Sequence, residues 1–503
     1  MENVVLGNVG RSALILGVSL AFGLLWNYFF FDKMPPGIGF TVYIALIIAA
    51  FFGVSHYSKR PVRGDLLWIF PLLLFFASMV TFRASDLLMV LNVFACLGLL
   101  ALVMEVSMQG TMRRFIPLDY LKLFWPFKVI APLIAVCADI LSMRHITDKK
   151  NAQQIVRGVL ITIPVVIIFG ILLSNADPIF EKYASIFTHW NLSEETIGRI
   201  IFTIIVTIAG TAFFSYSLTR KADHATERSH ARPLGHIETS ILLGSVNALF
   251  FGFIAIQLTY LFGGESNIVA QGMTYAEYAR RGFFELVWVA VISYLVLIVT
   301  EMFVEKDTEK HSRMFKILTA AVILQVGVIM ISAFYRMALY EQAFGFTTLR
   351  LYTHGFIILL GFIFAGLLYK ILIEHRDNTF AFRTFLAIVI FVAGMNFFNP
   401  DAFIAQKNLE RFAATGDLDT EYLATLSSDA TPVLLEAMSI TPGKMQHELG
   451  HKFYTRLHND KLQQWMEWNW SRAEEQKLLS PKTSELEKYA APADSVYPAT
   501  DKG

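Results

Sequence analysis

Residues 86–106 read DLLMVLNVFACLGLLALVMEV. Charge stands only near the two ends of this stretch, at Asp86 and Glu105. A helix of roughly 20 such residues crosses the hydrocarbon core of a bilayer, which is about 30 Å thick. One helix that is apolar on every side can sit in the centre of a large soluble core. The pattern here recurs at 12–31, 38–55, 66–82, 157–174, 198–218, 238–262, 282–303, 315–335, 351–372 and 384–398. So many blocks cannot share one soluble core. The fold class expected is therefore all-α integral membrane, a bundle of about eleven transmembrane helices.

Composition agrees. The chain of 503 residues is 55% hydrophobic and 17% charged, against about 25% charged in an ordinary soluble domain. A net charge of +1 removes any bulk electrostatic case for nucleic acid as a partner. The two cysteines, Cys96 and Cys137, both lie in apolar stretches and offer neither a disulfide framework nor a thiolate metal site. The first apolar run is too long for a signal-peptide core and lacks a small-residue cleavage site, so it is expected to be the first membrane helix.

The segment 107–143 breaks the pattern. Arg113, Arg114, Lys122 and Lys128 are interleaved with Phe115, Tyr120, Leu121, Phe124 and Trp125, a mixture suited to the headgroup level. Residues 129–143 are apolar but short, and they contain Pro132 and Asp139. They are expected to be re-entrant or interfacial. With that assignment and a cytoplasmic N-terminus, the inner loops are 56–65, 107–156, 219–237, 304–314 and 373–383. These carry clusters such as Lys59, Arg60 and Arg63, or Arg220, Lys221, Arg228 and Arg232. The outer loop 175–197 has only Lys182, against Asp177, Glu181, Glu194 and Glu195. This is the positive-inside bias of a cytoplasmic (inner) membrane protein, and it places the C-terminus outside the cytoplasm.

Three domains follow: a polytopic transmembrane domain at 1–398, a helical extracytoplasmic region at 399–480, and a disordered tail at 481–503. Pro400, the Ser428/Asp429 pair and Thr441-Pro442 mark helix starts in the second. The tail is rich in Pro, Ala, Ser and charge, with few large apolar residues.

Two stretches have a family character. One is Thr274-Tyr275-Ala276-Glu277-Tyr278-Ala279-Arg280-Arg281-Gly282-Phe283-Phe284-Glu285-Leu286. The other is Arg336-Met337-Ala338-Leu339-Tyr340-Glu341 with Gly345-Phe346-Thr347-Thr348-Leu349-Arg350-Leu351. Together with Asn399-Pro400-Asp401 and Trp468-Asn469-Trp470-Ser471-Arg472, they resemble the bacterial polytopic membrane families catalogued as domain of unknown function 4173 and its neighbour 4153. The resemblance runs from about residue 20 to 480. It implies a bacterial cytoplasmic-membrane protein and supplies no activity.

Ionisable groups cluster at the outer ends of the last four spans. Arg280, Arg281 and Glu285 open one span. Arg336, Tyr340 and Glu341 close the next, Arg350 and His354 open the third, and Asn396, Asn399 and Asp401 end the fourth. Such groups are costly at membrane depth and tend to pair or to line a polar cavity. One reading is an outward-facing pocket for a small polar or anionic ligand, floored by Tyr275, Tyr278 and Tyr352. The other is a belt of snorkelling Arg and Tyr with local ion pairs.

His447-Glu448-Leu449-Gly450-His451 is a literal H-E-x-x-H, in which His447 and His451 can bind zinc with Glu448 as base. Glu467, Glu474 or Glu475 would be the third ligand. Gly450 weakens the helix and Lys452 follows the second histidine directly, which favours a solvated helix face. Within the spans, Asn92, Asp139, Asn247, Gln257, Glu301 and Gln325 suit a proton or ion path, or simply hydrogen bonds between helices. No phosphate loop, G-x-S-x-G or paired-Cys motif is present, so no cofactor is expected. The lipid bilayer is the one certain partner, and no protein partner can be named. A solute transporter or membrane sensor is the leading expectation. The alternatives are a membrane-bound metal-dependent hydrolase or a scaffold with no ligand of its own.

Overall fold

The computed structural model describes residues 2–31, 35–60, 64–121, 133–139, 193–219, 235–261, 283–304, 309–374, 376–458 and 464–492, with a few single positions besides. Among these the regular structure is helical. The membrane part comprises α1 (Glu2–Phe30), α2 (Ile38–Tyr57), α3 (Leu66–Phe82), α4 (Asp86–Gln109), α5 (Glu194–Thr219), α6 (His236–Leu261), α7 (Phe283–Phe303), α8 (Glu309–Phe344), α9 (Thr348–Tyr369) and α10 (Asp377–Phe398). All but the 17-residue α3 contain a span long and apolar enough to cross a bilayer, nine among the described residues. Their outward faces keep large apolar side chains exposed, such as Leu249, Phe251, Ile331 and Phe362. That is the inverse of a soluble surface and the direct consequence of helices apolar on every side.

These ten helices lie where ten of the expected spans lie. The eleventh, 157–174, falls almost wholly outside the described residues. The 36-residue α8 overruns its expected span of 315–335. At 1.5 Å per residue it is about 54 Å long, so its last turns stand beyond the hydrocarbon core. Beyond α9, Lys370–Glu374 continues as a π-helix. Of the segment expected to be re-entrant, 133–139 is helical, and Asp139 Oδ2 accepts a hydrogen bond from Ser12 Oγ at 3.1 Å.

Two apolar clusters divide the bundle. One joins α1 to α5, and the other joins α6 to α9. Helix α10 lies between them, with Val392 in the first and Phe380 in the second. The closest approach in the first half is between α1 and α5. There Gly23 meets Thr203 and Thr207, and Gly210 meets Ser19. Small residues let backbones approach where no hydrophobic force separates helix from lipid.

The remaining residues form a helical cap: α11 (Pro400–Thr415), α12 (Thr420–Thr425), α13 (Thr431–Ile440), α14 (Gly443–His458), α15 (Trp470–Leu479) and α16 (Thr483–Leu486). They bury Leu409, Leu423, Leu434, Leu449, Phe453 and Leu479 in a core of their own. The expectation of a disordered tail from 481 fails for its first part. Leu486 is buried in this core, and a 3-10 turn at Glu487–Tyr489 follows it.

The cap sits on one end of the bundle. Ile38 N donates to Trp468 O at 2.8 Å, Ser471 Oγ to Phe82 O at 2.8 Å, and Asn408 Nδ2 to Phe346 O at 2.8 Å. The opposite end has its own ties. Asp65 accepts from Thr111 Oγ1 and Met112 N, and Asn378 Nδ2 donates to Arg113 O. Lys370 Nζ lies 2.6 Å from both Glu301 and Asp377. These two sets are the alternate loops that charge separates in the sequence. Helix α5 starts beside Phe31, where Arg199 lies over the ring, and reaches Glu105 through Tyr216. The chain therefore leaves α4 at the end away from the cap and enters α5 at the cap end.

Candidate functional site

The junction of cap and bundle is built from helix termini. A helix leaves its last carbonyls and first N–H groups without partners, and near lipid that omission is expensive. Helix α3 ends and α4 begins within Arg83-Ala84-Ser85, and the cap supplies partners for the last carbonyls of α3 and for the two amides that lead into α4. Asn469 Nδ2 donates to Val80 O at 3.1 Å and to Arg83 O at 2.9 Å, while Ser471 Oγ serves Phe82 O. Asp429 Oδ2 accepts the amides of Ala84 and Ser85 at 2.9 Å each. Asn469 also caps α15 through Arg472 N. One short run of sequence thus starts a cap helix and finishes a membrane helix.

The Asn-Pro-Asp run makes the second connection. Asn399 ends α10 at φ 52°, a left-handed conformation that Asn adopts more readily than most residues. Pro400 occupies the first turn of α11, and Asn399 Oδ1 caps it through Ala402 N. Asp401 follows and is buried. Its Oδ2 accepts Ser427 Oγ at 2.5 Å and Ser427 N at 3.2 Å, and its Oδ1 accepts Ser85 Oγ at 3.4 Å. Burial pushes the Asp401 carboxyl above its ordinary value, against the hydrogen bonds from Ser427, and the nearby Asp429 adds to the rise.

Between these connections lies a cavity of about 570 Å³. The bundle contributes Ser85, Asp86 and Thr348, and Asp401 comes from the first turn of α11. The cap contributes Thr425, Ser427, Arg456, Arg472 and Glu475. Glu475 is fully engaged, with Arg456 at 2.5 Å, Thr431 Oγ1 at 2.6 Å and Ser428 Oγ at 2.6 Å. Behind the wall, Lys452 Nζ donates to Leu426 O at 3.3 Å. Burial, with Arg456 adding repulsion, pushes this lysine down to about 7. Directly below, Asn92 and Asn396 exchange two amide hydrogen bonds of 2.8 Å.

Among the described residues of the expected arginine pocket, the side chains do not converge on one cavity. Arg280 and Arg281 lie outside the described residues, as do Tyr275 and Tyr278. Glu285 is exposed at the start of α7, and Arg336 is half-buried on α8. Arg350 stacks on Tyr340 at 4.0 Å and donates to the carbonyls of Phe344 and Gly345, which close α8. Glu341 lies 3.2 Å from His354 Nδ1, and His354 Nε2 faces Phe334 O at 3.2 Å. Tyr352 is buried with Leu88 and Met395. None of the described residues among these lines the cavity. From the same sequence cluster, Asp401 reaches it, and Asn396 and Asn399 support it.

The H-E-x-x-H run has another use. His447 Nε2 meets Ala491 O and His451 Nδ1 meets Tyr489 O, both at 2.8 Å. Glu448 accepts from Thr420 Oγ1 and lies 3.8 Å from Lys444. A side chain on Gly450 would collide with the ring of Tyr489. This helix face is a bed for the segment 486–491. Among the described residues, no group of three metal-ligating side chains gathers there or elsewhere.

With this geometry in hand, residues 69–437 match the family described as Domain of unknown function (DUF4153). The chain belongs to that family. Of the two families it resembles, this is the one shown, and the match spans α3 to α13 and so includes Asp401, Ser427 and Asp429. No curated protein and no solved structure matches the chain. It is a multi-pass membrane protein of a family with no assigned activity.

Proposed function

We propose that the chain is a solute-binding protein of the bacterial cytoplasmic membrane, with about eleven spans, its N-terminus cytoplasmic and its cap outside. The observation that carries this reading is the polar cavity of about 570 Å³ where cap and bundle meet. Its size falls within the range of small-molecule sites. Its walls come from two bodies that a ligand can draw together. Cap residues reach the ends of α3, α4 and α10 through Asp429, Asn469 and Asn399. A solute held between cap and helix ends therefore acts on helices that continue to the opposite face.

Sensing is favoured over carriage. Transporters place their sites near the bilayer midplane, among discontinuous helices and polar groups. Below the Asn92–Asn396 pair, α4 presents Val93, Phe94, Ala95, Cys96 and Leu97, and α10 presents only apolar side chains back to Phe385. Those walls offer no polar path inward from the cavity.

The test is thermal melting of detergent-purified protein against a panel of small polar solutes, beside Thr425→Trp, which fills the cavity from its exposed rim. A solute that raises the melting temperature of the wild type and not of the variant supports the reading. Equal shifts in both proteins, or none in either, would count against it.

A further inference from the structure

We propose that the ligand of this cavity is a small primary amine, bound as its ammonium against Asp401. The inference rests on the solute-binding reading above and adds the chemical class.

The charges around the cavity are unevenly matched. Glu475 has Arg456 at 2.5 Å, and Asp429 has Arg83 at 3.9 Å. Asp401 is 4% exposed and is met by two hydroxyls and one amide, from Ser427 and Ser85. No ion pair among the described residues reaches it. Buried carboxylates ordinarily pair with a cation. The N-terminus of α11 supplies only a partial positive charge. Burial raises Asp401's proton affinity despite these hydrogen bonds. Lys452 senses Asp401 from behind the wall, but its amine turns to Leu426 O, no ion pair among the described residues joins the two, and its own burial lowers its charge near neutral pH.

An ammonium group supplies what is missing. It carries one full positive charge and three donors in a compact head. Asp401 faces a cavity whose other walls offer hydroxyl oxygens from Ser85, Thr348, Thr425 and Ser428, beside Arg472 and an Arg456 already paired with Glu475. The carboxylates on the cavity are Asp86, Asp401 and Glu475, and Glu475 is held by Arg456, which leaves too few anionic oxygens for a divalent cation of six to eight ligands. The set suits a singly charged amine. An anionic solute, one of the two ligand classes expected from the arginine-rich sequence cluster (polar or anionic), would meet Asp401 and Asp86 as well as Arg456 and Arg472.

The experiment uses the full-length protein in detergent with glycine, lysine, putrescine and glucosamine, each beside its N-acetylated form (for lysine and putrescine, the diacetyl form). Melting and equilibrium binding are read for wild type, Asp401→Asn and Thr425→Trp. The expected result is that at least one free amine stabilises the wild type while its acetylated form does not. Asp401→Asn should weaken that amine at least tenfold while melting, without ligand, no lower than the wild type. The comparison of free and acetylated forms needs no variant to fold. Acetylated forms that stabilise equally, or an amine effect that survives Asp401→Asn but is lost in Thr425→Trp, would overturn the amine assignment and leave the cavity as a solute site. No shift with any probe would overturn both.

Discussion

The carboxylate of Asp429, in the cap, accepts the main-chain N–H of Ser85, at the start of membrane helix α4, at 2.9 Å. The same oxygen takes Ala84 N at an equal distance. The two amides that lead into a membrane helix are thus satisfied by one residue more than 340 positions later in the chain. Asp429→Ala removes this shared acceptor and leaves two donors without it, at about 1–3 kcal/mol each where buried. The cap should loosen, seen as faster limited proteolysis within 400–492 and a lower melting temperature. Asp429→Asn keeps one acceptor and should lose less. Equal proteolysis in all three proteins would show that the cap is held by its apolar contacts alone.

Asn92 and Asn396 form the floor of the junction. Replacing either by Leu strands the other amide in an apolar setting, at roughly 1–3 kcal/mol. Replacing both removes the demand, so the double variant should lose less than the sum of the singles. Additive losses would mean that each amide is satisfied independently.

Gly450→Ala places a methyl group in the ring of Tyr489. It should destabilise the cap by about 1–3 kcal/mol, as overpacking does. Tyr489→Ala in the same chain should relieve much of that loss. If Gly450→Ala instead costs nothing, the segment 486–491 does not dock on α14. His447→Ala is expected to loosen the same segment, through the lost contact with Ala491 O.

Lys452 gives the cap a pH dependence with a definite sign. In the unfolded chain the lysine holds its proton up to about 10.4, whereas burial lowers this to about 7 in the folded cap. Between those values the unfolded state binds more protons, so stability contributed at this site rises as pH climbs from 7. The melting temperature of the wild type should therefore gain more between pH 7 and pH 9 than that of Lys452→Met. Parallel pH profiles for the two proteins would place Lys452 in water.

The bundle was legible in the sequence because the bilayer imposes its length on each helix. Residues 86–106 need no partner to be read as a span, and Asp86–Ser107 is one. Helix ends were less legible where polar residues continue a helix beyond the membrane. Arg336 to Glu341 read as the end of a span, yet α8 runs on to Phe344 because the cap supports it. The cavity was the least legible part. Ser85, Ser427, Asp429 and Glu475 are unremarkable polar residues one at a time, and contacts across more than 300 positions bring Ser85 to the cap. The arginines drew attention through their charge, but Arg350 is spent on the carbonyls of its own turn. In H-E-x-x-H the glycine was the useful clue, since it marks a close neighbour rather than a metal helix.

The sidedness of the cavity can be measured directly. Thr425→Cys sits exposed on its rim, and Lys59→Cys sits exposed at the opposite end of the bundle. Each is treated in intact cells with a membrane-impermeant maleimide, with the wild type as control for Cys96 and Cys137. The expected result is labelling of Thr425→Cys in intact cells, and of Lys59→Cys only after permeabilisation. The reverse pattern would put the cap and its cavity in the cytoplasm and contradict an outward-facing solute site.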